Sequence, residues 1–287
     1  MKRYAFLISF VLFFTQVKAQ SDFIQGELGF TLGGAHYFGD LNTRTGLNAP
    51  KPAVGLLFRR PIGNYIGLRL SAKYLQLGYS DAFSKNEYQH MRNLSFNSDV
   101  FEFVIQGDFN FFKFIPNSEY NRFTPYVTIG AGVFNFNPYT YYNGTKYFLR
   151  PLGTEGQVGG YLGRTEYSTL AICVPFGVGI KLSLNKNVNM TFEVSQRFTS
   201  TDYLDDVSTT FAPNPRNSGG SINYFPSTSN NKPSIADLLQ DRSYEIDPLN
   251  TLSSVPGRQR GWSKQKDQYG IAEIGITFNL NAYRCPN

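Results

Sequence analysis

Ile172-Cys173-Val174-Pro175-Phe176-Gly177-Val178-Gly179-Ile180-Lys181-Leu182-Ser183-Leu184 alternates over its whole length. Ile172, Val174, Phe176, Val178, Ile180, Leu182 and Leu184 occupy one face; Cys173, Pro175, Gly177, Gly179, Lys181 and Ser183 occupy the other. Successive side chains of a strand point to opposite sides, so this stretch is a strand with one apolar face. The next segment repeats the pattern, Val188, Met190, Phe192 and Val194 against Asn189, Thr191, Glu193 and Ser195. Upstream, Ile66, Leu68, Leu70, Ala72 and Tyr74 alternate with Gly67, Arg69, Ser71 and Lys73. Phe101, Phe103, Ile105, Phe109 and Phe111 alternate with Glu102, Val104, Gln106, Asp108 and Asn110. Segments 23–33, 52–60, 124–136 and 268–280 read similarly, 52–60 most weakly, which makes eight strands.

A soluble sandwich also alternates, with its apolar face inward. Two features separate the cases. The strands run about 9–13 residues where five or six is usual, and about 9–11 tilted residues cross a hydrocarbon core. Connections also sort by length: 34–51, 78–97, 137–169 and 199–267 are long, while 61–64, 113–123 and 185–187 are short. Outer-membrane barrels carry short turns at one end and long loops at the other. The expected fold is all-β, an eight-stranded antiparallel transmembrane β-barrel with long outer loops. A hairpin inside 199–267 would raise the count to ten.

Composition agrees. Of 287 residues, 17% are charged and 16% aromatic, with 26 Phe, 19 Tyr and 27 Gly, a balance that suits strands and disfavours bundles. A mean hydropathy of −0.29 excludes a polytopic helical membrane protein. Lys2 and Arg3, the apolar run Tyr4–Phe14 and Val17-Lys18-Ala19 read as a signal peptide over residues 1–19, with residues 20–287 as the barrel. The run is too short to span a bilayer, and no Cys follows it for a lipid anchor. Cleavage takes Lys2, Arg3 and Lys18 from the 27 basic residues, leaving 24 against 21 acids. A charge near +3 gives no reason to expect a nucleic-acid partner.

On this register Glu27, Arg59, Arg69, Lys73, Glu102, Asp108, Lys181, Glu193, Arg197 and Glu273 face inward, five acids and five bases. Eight strands leave room only for side chains, and an unpaired ion there costs several kcal/mol. A salt-bridged plug is expected, since an ion-selective pore would carry one sign of charge.

Chemistry-bearing motifs are scarce. Asp205 and Asp206 with His36 or His90 would be an acid–base cluster at the barrel mouth, but Asp-rich turns and solvated histidines explain them equally. No Gly-x-Ser-x-Gly, His-Glu-x-x-His or phosphate loop is present, so neither enzyme activity nor a cofactor or metal is expected. A disulfide between Cys173, in the lumen, and Cys285, past the last strand, is not expected. Loop 199–267 is rich in Ser, Asn, Pro and Gly, with Ser218-Gly219-Gly220-Ser221 at its most flexible point. Ser234 there is placed to cap a short helix over Ile235–Gln240. Glu273-Ile274-Gly275-Ile276-Thr277-Phe278-Asn279-Leu280 resembles the last-strand signal read by the barrel assembly machinery, through Glu273, Gly275, Phe278 and Leu280.

The loops carry a further resemblance. Gly33-Gly34-Ala35-His36-Tyr37-Phe38-Gly39-Asp40-Leu41-Asn42, Arg92-Asn93-Leu94-Ser95-Phe96, Thr124-Pro125-Tyr126, Gly153-Thr154-Glu155-Gly156-Gln157 and Thr201-Asp202-Tyr203-Leu204-Asp205-Asp206-Val207-Ser208 occur in that order. The series resembles the PorG-type outer-membrane subunits of the Bacteroidetes type IX secretion system. The resemblance implies a non-enzymatic subunit attached to a ring of PorK-type lipoprotein and PorN-type periplasmic protein. That apparatus exports proteins with a C-terminal sorting domain and in some relatives supports gliding. It also makes Arg92, Asn93, Thr154, Glu155, Gln157, Asp202, Tyr203, Asp205 and Asp206 candidates for partner contact or for bracing the loops. Without the resemblance, the residues equally allow a small OmpA/OmpX-like barrel serving adhesion or envelope integrity.

Overall fold

The computed structural model describes residues 24–43, 47–213, 224–225, 234–249, 251–255 and 257–281. The signal-peptide reading, Ser218–Ser221 and Cys285 lie outside the described residues. The strands are β1 (Ile24–Phe38), β2 (Lys51–Ile62), β3 (Ile66–Ser80), β4 (Ser95–Asn110), β5 (Phe123–Tyr142), β6 (Thr145–Phe148), β7 (Leu170–Ser183), β8 (Val188–Thr199) and β9 (Gln268–Asn281). Every pairing is antiparallel. The order β4-β3-β2-β1-β9-β8-β7-β5 closes through β4–β5, so eight strands form a barrel without a free edge. The short β6 only folds back on the end of β5 and is not a wall strand. With β8 paired to both β7 and β9, a ten-stranded wall has no place to insert.

Turn chemistry follows from the sequence. Asn185 Oδ1 accepts the Asn187 and Val188 N–H groups at 2.8 and 3.0 Å, closing the β7–β8 turn. Asn143 and Gly144 both take positive φ, 48° and 78°, as a two-residue hairpin between β5 and β6 requires.

The strands run 12 to 20 residues, longer than the alternation suggested, and the excess lies at the long-loop end. There the polarity of the wall inverts. Across the belt, Phe30, Leu56, Leu68, Phe103, Ile129, Phe176, Phe192 and Ile274 are exposed outward, and the charged residues face in. Toward the long loops the outward positions become Gln76, Asp99, Asn135 and Gln268, while Leu77, Val100, Phe134, Phe136 and Tyr269 are buried inside. Part of what reads as loop in 34–51, 78–97 and 137–169 is therefore strand, because its apolar face has changed sides. The apolar band between these levels is that of a membrane-spanning barrel.

The histidines differ from the expectation of solvated loop residues: His36 is buried near the end of β1, edge-on to Phe38, whereas His90 is exposed.

Candidate functional site

All ten inward charges are buried. Their wall neighbours are often wrong: Arg59 stands opposite Arg69, and Glu193 opposite Glu273, pairs that repel when adjacent. Some partners stand beside them on the wall, as Glu27 does for Arg59, and others come from across the lumen, as Glu193 does for Arg69. Arg69 binds Glu193 at 2.6 Å and Asp108 at 3.4 Å; Arg59 binds Asp108 at 2.7 Å and Glu27 at 2.8 Å; Lys181 reaches Glu27 at 3.8 Å. Lys73 pairs with Glu273. Arg197 meets Glu102 at 3.1 Å, and the Tyr269 hydroxyl donates to the same carboxylate at 2.7 Å. Each acid has a base, so opposite walls are cross-linked and the lumen is filled.

Above the plug lies a second assembly, built by the long loops. Leu41, Leu94, Leu204, Val207 and Leu239 pack onto Tyr37, Phe96, Phe134, Phe136 and Tyr269, forming one apolar core that seals the barrel mouth. On this core sits a hydrogen-bonded cap that collects every loop residue singled out by the resemblance. Arg92, on the short helix Glu87–Arg92, makes a two-toothed contact with Asp81 at 2.7 and 2.8 Å and also donates to the carbonyls of Asp40 and Arg260. Asn93 ends that helix at φ 55° and donates to Glu245 at 2.9 Å.

Glu155 is the hub. It accepts from the backbone N–H groups of Ser208 and Thr209 at 2.9 and 3.0 Å, from the Thr209 hydroxyl at 2.5 Å, and from Arg260 at 3.2 Å. Tyr203 reaches it at 3.3 Å and stacks on Tyr167 with centroids 4.5 Å apart. Gln157 accepts from the Glu155 N–H at 2.8 Å. Gly153 and Gly156, at φ 60° and 79°, make the bend that turns Thr154 and Glu155 inward, and a Cβ on Gly156 would meet Tyr161 and Ala212 within 3 Å. Asp206, itself at φ 67°, accepts from Thr154 and, at 2.7 Å, from Tyr167. Asp202 accepts from Ser208 at 2.5 Å. The Tyr37 hydroxyl lies 2.5 Å from Asp205 and 3.0 Å from Asp267, yet it has one proton to donate.

Asp202, Asp205 and Asp206 are thus buried and turned inward, which is the bracing geometry rather than an exposed acidic patch. They do not assemble with histidine: His36 meets Asn42 at 3.1 Å, and His90 is exposed. Carboxylates outnumber the buried Arg92 and Arg260 here, and burial pushes them up: Asp40 and Asp206 to about 6, Asp202 to about 7, Asp205 and Asp267 well above the ordinary range. Asp81, Asp267 and Arg260 are polar residues in polar segments and carry no signal in the sequence, while Tyr37 and Asp40 lie within the Gly33–Asn42 phrase.

Gly275, Phe278 and Leu280 lie on β9, where Phe278 and Leu280 face outward at the short-turn end and Glu273 faces the lumen. Ser234 caps Ile235–Gln240 through the Asp237 N–H at 3.2 Å. In the described remainder of 199–267, single 3-10 turns at Ser243–Glu245 and Leu252–Ser254 interrupt irregular chain, with Phe211, Ala212, Leu252 and Arg260 buried and Leu249 and Trp262 exposed.

Among solved structures the chain is similar to Ail, the attachment invasion locus protein of Yersinia pestis, at 10% identity and TM-score 0.37 over 88% of this chain and 98% of that one. It is similar to Neisserial surface protein A at 8% identity and TM-score 0.41 over 89% and 97%. It is similar to OprG of Pseudomonas aeruginosa at 10% identity and TM-score 0.37 over 90% and 97%. No curated protein sequence matches. A family model described as "Domain of unknown function (DUF6089)" matches residues 2–219, from the first residues through seven of the eight wall strands and into the last long loop. The chain belongs to the DUF6089 family.

Proposed function

We propose that this protein is a non-enzymatic outer-membrane subunit of the type IX secretion system, delivered by a cleaved signal peptide and inserted by the barrel assembly machinery. In this role it associates with the PorK-type lipoprotein and PorN-type periplasmic ring and supports export. One observation carries the reading. Four of the five phrases resembling the PorG-type subunits, Gly33–Asn42 through Asp40, Arg92–Phe96 through Arg92 and Asn93, Gly153–Gln157 and Thr201–Ser208, converge on a single interlocked cap, while the fifth, Thr124–Tyr126, lies at the short-turn end, where Tyr126 donates to Glu193. Such a cap over a salt-bridged lumen suits a rigid scaffold better than a conduit.

The acids of the cap are buried, so a ring partner has to be met elsewhere. With the long loops outside the cell, the short turns face the periplasm, where Phe112 and Tyr120 are exposed. Affinity purification from native outer membrane, read by mass spectrometry, should recover the ring subunits. Changing Asp202, Asp205 and Asp206 together to Ala should leave insertion intact and lower secretion of sorting-domain cargo several-fold. Normal secretion after deletion of the gene, in a strain without a second copy, would discard the secretion reading in favour of a small OmpA/OmpX-like barrel for adhesion or envelope integrity.

A further inference from the structure

Beside the cap, on the outer wall where polarity inverts, lies a groove of about 770 Å³. Its floor is the outward amide pair Gln196 and Gln268, 3.1 Å apart. Its roof is the segment Gln259–Gln265, which presents Trp262, the chain's one tryptophan, half-exposed. The far wall is the helix Glu87–Arg92, with Tyr88.

The groove is held open by bonds that do not depend on a ligand. Both Asp40 carboxylate oxygens lie 3.0 Å from the Trp262 backbone N–H, Trp262 O accepts from the Gln265 N–H at 3.2 Å, and Tyr88 donates to the Gln259 carbonyl. The two guanidinium groups in its lining are already committed, Arg92 to Asp81 and Arg260 to Glu155. The Asp40 carboxylate, also in the lining, is committed to the Trp262 N–H, so what is left to meet a ligand is an indole, a phenol ring, the apolar Phe38 and Leu47 and several carboxamides. An indole packs against the flat CH face of a sugar ring, and carboxamides both donate to and accept from hydroxyls. The volume fits two or three sugar residues. A peptide strand has no edge to join here, since β8, β9 and β1 are each paired on both sides.

We propose that this groove binds a neutral oligosaccharide, either a free glycan or the sugar portion of a lipid in the same leaflet. The inference rests on the groove alone and stands or falls separately from the secretion reading; only the lipid-borne source requires the outer-membrane placement.

The test uses the full-length protein in a sugar-free detergent, with emission of the single tryptophan and calorimetry as readouts. Probes are maltotriose, mannotriose, the N-acetylglucosamine trimer and the polysaccharide released from native outer-membrane lipid by mild acid. At least one should bind saturably at roughly 0.1–1 mM, with a shift in emission and little change between low and high salt. Trp262→Ala should weaken calorimetric binding at least tenfold, and Gln259→Ala with Gln265→Ala several-fold, both in barrels that still migrate as folded. Preference for the released polysaccharide assigns the lipid-borne source, and preference for a trimer the free one. Silence with all four probes, undiminished binding by Trp262→Ala, binding that salt abolishes, or binding of unstructured peptides in place of sugars would overturn the proposal.

Discussion

The lower and upper halves of one barrel use the same strands in opposite ways. Below, Arg69, Glu102 and Asp108 point in and Leu68, Phe103 and Phe109 point out, so the inside is ionic and the outside apolar. Above, Val100 and Phe134 point in and Asp99 and Asn135 point out. The lower half is organised by lipid and the upper half by water, and the crossing point on β3, β4, β5 and β9 marks the membrane boundary. The ionic halves differ too. The lumen holds five acids and five bases in one balanced network of ion pairs, whereas the cap buries more acids than bases and relies on hydroxyls and backbone N–H groups.

That contrast implies different failure modes. The largest effect is expected in the lumen. Arg69→Ala leaves Glu193 buried without its base and Asp108 with only Arg59, and the unfolding free energy of the detergent-solubilised barrel should fall by ~3–5 kcal/mol. Arg260→Ala should act on the cap alone. It removes the cation shared by Glu155 and Asp206, so proteolysis within 199–267 should accelerate about tenfold while the barrel still migrates as folded.

Proton linkage sharpens the difference. Asp40 and Asp206 titrate near 6 and Asp202 near 7, above an ordinary carboxylate at 3.8. In that window the folded cap holds protons that the opened cap releases, so its stability is highest near pH 4 and declines as pH rises through about 6–7. Emission of Trp262 and protease sensitivity should both report a looser cap at pH 8 than at pH 5. Asp202→Asn with Asp206→Asn should flatten the trend. The smallest effect belongs to Gly156→Ala, which forces an L-residue to φ 79° against Tyr161 and should cost the cap about 1–2 kcal/mol by the same protease assay.

The sequence made the lower half legible because lipid imposes period two on every wall strand at once. The ten lumen charges follow from it by parity, though not their partners, since Arg69 and Glu193 meet across the lumen rather than along the wall. The strand extensions were obscured by the inversion, which breaks the apolar run at Tyr74 although β3 continues to Ser80. The cap was visible only in part. Thr201–Ser208 stood out through its acids and its resemblance, but a loop has no period to show that Arg260 would be buried beside Glu155, or that Tyr37 would bridge Asp205 and Asp267.

A sealed barrel whose seal lies in the paired lumen, with the cap as a separate braced lid, is tested most directly by planar-bilayer recording of the purified protein and of Arg260→Ala. Both should insert without a stable conductance step, because loosening the cap leaves the ionic plug in place. Large, steady, ion-selective currents from either protein would contradict the sealed lumen.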